Sequence, residues 1–295
     1  MLNFIFGRSG FGKTQYIYKK IFDLISLKYE KILLIVPEQK SFETEKAILN
    51  RFGPKISNKV EITSFSKLFY LVSQKSDSVY GKYLSNASKN IVMSLVLENI
   101  SNELNIYKNH ENKIEFIQLM ISAITEFKIC SVSYEDLLLA CDKVINQTLK
   151  NKLKETSLIL ESFNKIITNR YLDPLDDLDQ LYDTLKKFSY FSDYIVFVDG
   201  FDSFTAQQFK IIEMILKQSN DCYISLCLDE GQFNLDKSSL FSSVIKTFRK
   251  LGQIAQKNDI AVSTYKVLKT LRLIFLKQII IALNLISMIY LFMEL

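Results

Sequence analysis

Eight consecutive residues near the start of the chain have the types and spacing that suit phosphate binding. Glycines allow backbone N–H groups to curl around phosphates, because no Cβ stands in the way. Lys13 is placed to reach β- and γ-phosphates, and the hydroxyl of Thr14 is placed to bind Mg²⁺. Whether Arg8 contacts phosphate or solvent stays open. The predicted nucleotide-binding residues are Gly7, Arg8, Ser9, Gly10, Phe11, Gly12, Lys13 and Thr14.

The flanking sequence supplies the elements that such a loop needs. Leu2–Phe6 is a short apolar run typical of a buried strand, and a helix is predicted from Thr14 to about Ile25. The N-terminus of that helix would add partial positive charge. Lys31–Val36 is a second predicted strand, so strand, helix and strand form a unit from which parallel sheets are built. A chance glycine-rich turn is the alternative.

A second acidic position is predicted at the end of another strand. Ile195–Val198 is apolar and is followed by Asp199. Ligands of open α/β sheets bind at the carboxyl ends of the strands, and nucleotide sites of this kind use an acid there to hold the metal ion. Asp199 is therefore a candidate metal-holding residue together with Thr14. An ordinary turn residue at the end of a strand is the alternative.

The residue after Asp199 is Gly200, whereas motor ATPases often have a glutamate there that positions the attacking water. Asp202, three positions after Asp199, could in principle take the place of that glutamate, but nothing in the sequence shows that it does. Losing a general base lowers a rate by a factor of roughly 10² to 10⁴. The sequence therefore favours ATP binding over ATP hydrolysis.

The remaining elements predict an α/β core interrupted by helices. A strand at Val60–Thr63 is followed by a helix through residues 65–72, and strands return at Tyr194–Val198 and Cys222–Leu228 with a helix between them. Between residues 85 and 190 glycine is absent and amphipathic helices are predicted at 88–105, 113–129, 134–147, 150–170 and 176–188. The expected organisation is core residues 1–85, an all-helical insertion 86–190, core residues 191–270 and a different terminal segment 271–295.

Composition narrows the function classes. Apolar residues make up 48% and charged residues 23% of the chain, and the net charge of +5 permits but does not demand contact with nucleic acid. Four cysteines without a Cys-x-x-Cys pair, and the single His110, argue against a zinc site or a Ser-His-Asp triad. We expect reduced thiols and a cytoplasmic protein, since no secretory signal is evident.

Four segments, in this order, carry a family resemblance: Gly7–Thr14, Val36–Gln39, Thr63–Phe65 and Val198–Thr205. The phosphate loop alone is common to many families, whereas Val-Pro-Glu-Gln combined with Asp-Gly-Phe-x-x-Phe-Thr is much more specific. Together they resemble the N-terminal part of the B subunit of the AddAB-type ATP-dependent helicase–nuclease, to which the RexB-like proteins are related. The resemblance runs from residue 1 to roughly 270.

The resemblance implies a fold and a function. The fold is a RecA-like, superfamily-1 helicase-like core interrupted by a helical subdomain. Such B subunits pair with a motor, the A subunit of the helicase–nuclease. They process double-stranded DNA ends for recombinational repair and help to recognise a sequence in single-stranded DNA. Their own helicase half is degenerate as a motor, which agrees with Gly200 after Asp199.

The chain departs from the family pattern in length. Family members are several times longer and carry a second helicase-like domain and a C-terminal nuclease domain with an iron–sulfur cluster. The four cysteines have no cluster-like arrangement here. We therefore expect neither the cluster nor nuclease activity in this chain.

The last 25 residues are strongly apolar, and three interpretations stay open. The uninterrupted apolar stretch is about fifteen residues, short of the roughly twenty that a membrane helix needs. A tail anchor, a packed terminal helix and the product of a frameshift near residue 270 in an AT-rich gene are the alternatives. The frameshift is favoured and no membrane contact is expected.

Two other functions also fit the phosphate loop. A stand-alone ATPase or small-molecule kinase would use the same loop, with the helical block as a lid over a substrate. A non-catalytic DNA-binding module would combine basic residues with aromatic residues that stack on bases. The chain is rich in phenylalanine and tyrosine, including Phe65, Phe69 and Tyr70, but most of these aromatic residues are expected in the core.

Overall fold

The computed structural model describes residues 1–76, 83–108, 110, 113–168, 171–228 and 241–267. The strands are β1 Leu2–Phe6, β2 Ile32–Ile35, β3 Val60–Thr63, β4 Ile195–Val198, β5 Asp221–Leu226 and β6 Val262–Lys266. The helices are α1 Lys13–Ser26, α2 Ser41–Phe52, α3 Pro54–Ser57, α4 Phe65–Ser76, α5 Asn86–Asn99, α6 Ile114–Ile129, α7 Tyr134–Lys143, α8 Gln147–Thr168, α9 Asp177–Lys187, α10 Ala206–Gln218 and α11 Ser242–Lys257. The terminal segment 271–295 lies outside the described residues.

The six strands form one sheet in the order β3-β2-β4-β5-β1-β6, and every pair is parallel. Parallel strands require crossover connections, which are usually helices that cover the faces of the sheet. Strands β1, β2 and β4 are buried along their whole length, as their near-continuous apolar sequences predict. The predicted α/β fold with a parallel sheet is therefore confirmed.

Helices cover the sheet on both faces. Ile17 and Ile21 of α1 are fully buried in one core cluster with Ile5 of β1. On the other face, the ring of Phe248 in α11 packs edge-on against the ring of Phe4, with centroids 4.9 Å apart. Alternate residues of one strand thus reach opposite helical layers, because successive side chains of a strand point to opposite faces.

Several predicted bounds differ from the structure. The helix expected at 88–105 ends at Asn99, and a 3-10 turn at Ser101–Glu103 follows it. The helix expected at 134–147 ends at Lys143, and the helix expected from 150 begins at Gln147. Helices α2, α3 and α11 and strand β6 were not predicted. Strand β6 alternates exposed and half-buried residues at the sheet edge, so it lacks the apolar run of a central strand.

The chain divides into two compact units. The first comprises residues 1–65, 189–204 and 213–295, and the second comprises residues 66–188 and 205–212. The second unit has its own apolar core, in which Met93, Ile159 and Phe163 are almost fully buried. The domain limits at 85 and 190 stay predictions.

The described residues contain no single helix that combines the length and hydropathy of a membrane span. Helices α6 and α7 satisfy that criterion only when they are taken together, and they bend by 95° at their junction.

All four cysteines are free thiols, as expected, and burial raises the pKa of Cys222 to about 12.

A buried cluster of charges lies within the second unit. The carboxylate of Asp173 is 1% exposed and accepts hydrogen bonds from Lys89 Nζ at 2.8 Å and from Lys128 Nζ at 2.9 Å. Burial alone would raise the pKa of Asp173, but the charge of Lys128 and the two lysine hydrogen bonds outweigh it and lower that pKa. Lys128 also binds Asp176 at 2.8 Å. Both lysines are nearly buried, so they depend on this carboxylate for compensation.

A neighbouring carboxylate behaves in the opposite way. Burial raises the pKa of Asp177 from 3.8 to about 6, and the carboxylates of Asp176 and Asp173 add to the shift. The hydroxyl of Tyr83 donates to Asp177 Oδ1 at 3.2 Å, which opposes the shift in part. As pH rises from about 4 to 6, the unfolded chain releases this proton while the folded chain retains it. The charged form of Asp177 therefore destabilises the fold above about pH 6.

Two isosteric substitutions should change stability in opposite directions. At pH 7, Asp173→Asn should lower the free energy of unfolding by about 3 kcal/mol, because it leaves two buried ammonium groups undercompensated. Asp177→Asn should raise it by on the order of 1 kcal/mol at pH 7 and leave it unchanged at pH 4. Denaturant unfolding followed by circular dichroism at both pH values measures these changes. Equal effects of the two variants would contradict the assignment of charge states.

Candidate functional site

The carboxyl ends of the strands place the candidate residues at one edge of the sheet. Gly7 follows β1 and Asp199 follows β4, with β5 between these two strands. In the parallel register Val198 pairs with Ile224 and Phe6 pairs with Leu226. This register sets Asp199 level with Ser225 of β5, and the side chains of level residues in parallel strands point to the same face. The face is the one that α1 covers.

The loop from Gly7 to Lys13 is wound in a conformation that glycine permits. Gly10 has φ +74° and Gly12 has φ +94°, both in the left-handed region. Among the described residues other than Gly10 and its two chain neighbours, no heavy atom lies within 4 Å of the position that a Cβ of Gly10 would occupy. The backbone N–H of Phe11 donates to the carbonyl of Arg8 at 3.2 Å. Gly10 and Gly12 thus allow the backbone to turn sharply immediately before α1, and the role of this loop in phosphate binding stays a prediction.

Lys13 lies across this loop rather than in solvent. Its Nζ donates to the carbonyl oxygen of Gly7 at 2.7 Å and to that of Arg8 at 3.0 Å. These two contacts hold the ammonium group against the backbone carbonyls of the loop. The ammonium group and the N-terminus of α1 are both positive, and the first turn of α1 contains no acidic residue that would offset their charge. An anion is the ligand that this arrangement favours.

The side chain of Asp199, which follows β4, contacts the phosphate loop, which follows β1. Its side chain is 8% exposed, and its Oδ2 accepts a hydrogen bond from Thr14 Oγ1 at 2.8 Å. Its other oxygen, Oδ1, accepts a hydrogen bond from Ser225 Oγ. The backbone N–H of Asp199 donates to Ile35 O at 3.0 Å, which anchors the residue to β2. Thr14 and Asp199 are predicted from the sequence, whereas Ser225 was missed, since its only signal was a hydroxyl within an apolar strand.

These groups fit Mg²⁺ bound together with nucleotide phosphates. Mg²⁺ prefers oxygen ligands and is usually held by one or two protein groups plus substrate phosphates. The hydroxyl of Thr14 and the carboxylate of Asp199 are two such oxygen donors. Within the described ranges, no group of three or more His, Cys, Asp or Glu side chains could hold a metal ion alone. The arrangement therefore suits a metal ion that arrives with its nucleotide.

The backbone after Asp199 is unfavourable for residues larger than glycine. Gly200 has φ +82°, and a Cβ there would lie 3.3 Å from Cδ of Pro37 and 3.3 Å from Nζ of Lys40. A glutamate at this position would meet the same restrictions. The local geometry therefore favours glycine over the glutamate found in many motor ATPases, because Pro37 and Lys40 lie next to the turn.

Aromatic contacts bring the last of the four resembling segments to the same place. The ring of Phe65 lies edge-on to the rings of Phe201 and Phe204, with centroids 5.4 and 6.0 Å apart. Phe65 is buried, as is Phe69, whereas Tyr70 is 47% exposed. Phe65 and Phe69 therefore belong to the core, whereas Tyr70 does not. The four segments are far apart in sequence but converge around the turn after β4.

A separate groove of about 630 Å³ lies away from this edge. It is lined by residues that precede β2 and β3, among them Lys31 and Lys59, and by Phe42 and Leu49 of α2. These residues lie at the amino ends of the strands, whereas the phosphate loop lies at the carboxyl ends. The groove carries no part of the candidate nucleotide site.

The turn at Gly200 generates a prediction with a matched control. Gly200→Ala should lower the free energy of unfolding by about 1–2 kcal/mol, because an L-residue is strained at that φ and its Cβ presses on Pro37. Gly252→Ala in α11 should raise it by about 0.5–1 kcal/mol, since that position is helical with open space around it. Thermal unfolding of both variants tests this. An unchanged or higher melting temperature for Gly200→Ala would refute the proposed strain.

Comparisons with known proteins agree with the resemblance. A family model described as "ADDB, N-terminal" matches residues 4–280. Several curated relatives are named as the B subunit of an ATP-dependent helicase/deoxyribonuclease. They include one from Clostridium acetobutylicum, 31% identical over 262 residues, and one from Clostridium tetani, 32% identical over 266 residues. A third, from Clostridium kluyveri, is 34% identical over 262 residues.

Each of these matches covers 88% of this chain but only 23% of the relative. The family match spans both halves of the sheet, the phosphate loop, Asp199 and the helical residues between them. The chain therefore belongs to the AddB family and corresponds to its N-terminal part.

Proposed function

We propose that this chain binds ATP with Mg²⁺ at Gly7–Thr14 and Asp199. We further propose that it serves as the N-terminal part of the B subunit in a heterodimeric helicase/deoxyribonuclease. The observation that supports nucleotide binding best is the 2.8 Å contact between Thr14 Oγ1 and Asp199 Oδ2. It places the hydroxyl of the loop and the carboxylate of a distant strand at one point, although the two residues are 185 positions apart.

Each residue has a defined task in this proposal. The backbone amides between Gly10 and Thr14 bind phosphate oxygens at the positive end of α1. Lys13 exchanges its two carbonyl partners for phosphate oxygens, which a positively charged donor binds more strongly. Bound Mg²⁺ would neutralise phosphate charge, and Thr14 and Asp199 would hold it.

We propose that the site retains ATP rather than turning it over rapidly. The turn at Gly200 provides no carboxylate to position a water molecule, and a side chain at this position would be strained by the positive φ and crowded by Pro37 and Lys40. Asp202 has the next carboxylate along the chain. This residue is exposed, and its backbone carbonyl oxygen accepts a hydrogen bond from Thr247 Oγ1 at 3.2 Å. Bound nucleotide then contributes stability to the fold that holds it, in proportion to its occupancy.

The relatives' names support the proposed partners. Those proteins are called ATP-dependent and are named as B subunits, and such a name implies that the enzyme has more than one kind of chain. We propose the A subunit of the helicase/nuclease as the partner in a heterodimer, and double- and single-stranded DNA as the substrates. We propose DNA-end processing for recombinational repair as the role and the cytoplasm as the location. Salt should weaken any direct contact with DNA, because phosphate contacts release counterions.

Replacing the loop lysine tests the nucleotide site. Lys13→Ala should weaken binding of a fluorescent ATP analogue in Mg²⁺ by about 10–100-fold, because it removes charge-assisted hydrogen bonds worth about 1.5–3 kcal/mol. Lys19→Ala is the matched control, since Lys19 is exposed on the same helix away from the loop. That variant should bind as the unchanged protein does.

Two results would count against the proposal. The first is equal affinity of Lys13→Ala and the unchanged protein, which would move binding away from Gly7–Thr14. The second is phosphate transfer from ATP to a nucleoside or another small acceptor, which would favour a small-molecule kinase. Slow or absent release of phosphate from bound ATP is the expected outcome.

A further inference from the structure

Ser225 is a polar residue in an apolar setting. It lies near the end of β5 between Ile224 and Leu226, both of which are fully buried. Its own exposure is 3%. A buried hydroxyl is costly unless it has a hydrogen-bond partner, and the partner here is a carboxylate oxygen of Asp199.

Two hydroxyl groups at the site donate hydrogen bonds to different oxygens of the Asp199 carboxylate. Ser225 donates to Oδ1, and Thr14 donates to Oδ2. Thr14 belongs to the first turn of α1, whereas Ser225 belongs to a central strand with neighbours on both sides. Ser225 is therefore the more firmly placed of the two donors.

We propose that Ser225 is a positioning residue that sets the rotamer of Asp199, so that Oδ2 faces the metal position beside Thr14. This inference rests on the proposed function of the same site. Without the hydrogen bond to Oδ1, the carboxylate can rotate about its side-chain torsions, and the entropy of holding Oδ2 in place then opposes metal binding. Hydrogen bonds of this kind to a ligating group typically change metal affinity by about 10–100-fold.

The hydrogen bond between Ser225 and Asp199 should affect the binding of Mg²⁺ and not the binding of metal-free nucleotide. Ser225 touches Asp199, and the phosphate-binding amides and Lys13 belong to a different segment with its own contacts. Loss of the Ser225 hydroxyl should therefore weaken the contribution of Mg²⁺ and spare the affinity for nucleotide without metal. A serine that merely fills space in the strand would not produce this separation.

The experiment measures the Mg²⁺ dependence of nucleotide affinity. A fluorescent ATP analogue is titrated into the full chain in EDTA, and Mg²⁺ is then titrated at fixed analogue. For Ser225→Ala we expect the Mg²⁺ concentration at half effect to rise about 10-fold, with the affinity in EDTA within about twofold of the unchanged protein. Ser225→Thr, which retains the hydroxyl, should restore the lower concentration.

Two further variants complete the design. Ser157→Ala removes another buried hydroxyl, one that donates to Tyr134 O at 2.9 Å, and it should leave the Mg²⁺ dependence unchanged. Ser225→Cys is close in size and has a weak donor, so it should give an intermediate shift. It also serves as the test if Ser225→Ala does not fold.

The outcomes separate this inference from the proposed function. An Mg²⁺ midpoint in Ser225→Ala and Ser225→Cys equal to that of the unchanged protein would overturn the role of Ser225 alone. Absence of nucleotide binding by the unchanged protein would instead overturn the proposed site. An equal loss of affinity with and without Mg²⁺ would assign Ser225 a structural role and also overturn the inference.

Discussion

The hydrogen bond between Thr14 and Asp199 links two parts of the sheet that are 185 positions apart in the sequence. Thr14 follows the first strand of the chain, and Asp199 follows the fourth, so this contact forms only when the strands on both sides of the helical segment have paired. Ser225 adds a third strand to the same carboxylate. A buried carboxylate with two donors is stable because its hydrogen bonds compensate for lost hydration. The candidate site is therefore a property of the assembled sheet.

This dependence has consequences for folding. After β3 the chain continues through the second compact unit, and it returns to the sheet with β4, which pairs with β2. Closing so long a loop is entropically costly, and contacts of high sequence separation form slowly. The second unit has its own apolar core and its own charge cluster around Asp173, so it has local interactions that do not depend on the sheet.

Much of the fold could be predicted because its signals are local. Continuous apolar runs identified β1, β2 and β4, and glycine spacing identified the turn before α1. Helix α2 was missed because its buried residues are Ser41, Thr44 and Ile48, which gives no apolar stripe. The edge strand β6 was missed because its residues are alternately exposed and half-buried, so its sequence contains no apolar run.

The candidate site could be predicted only in part. The loop and Asp199 are recognisable from residue type and from their places after strands. Ser225 and the packing of Pro37 and Lys40 against Gly200 depend on strand order, since β5 lies between β1 and β4 although it follows both in sequence. Strand order is not encoded in local periodicity. Pro37 belongs to the Val-Pro-Glu-Gln segment, but no motif marks Ser225 or Lys40.

The most direct test of the account is residue-resolved detection of bound nucleotide. Amide hydrogen exchange of the protein with and without Mg²⁺ and a non-hydrolysable ATP analogue reports where the ligand contacts the backbone. We predict strong protection at Gly10–Thr14 and around Asp199 when both are present, with less protection when Mg²⁺ is removed. Protection confined to the groove beside Lys31 and Lys59, or no change at Gly10–Thr14, would contradict nucleotide binding at this site.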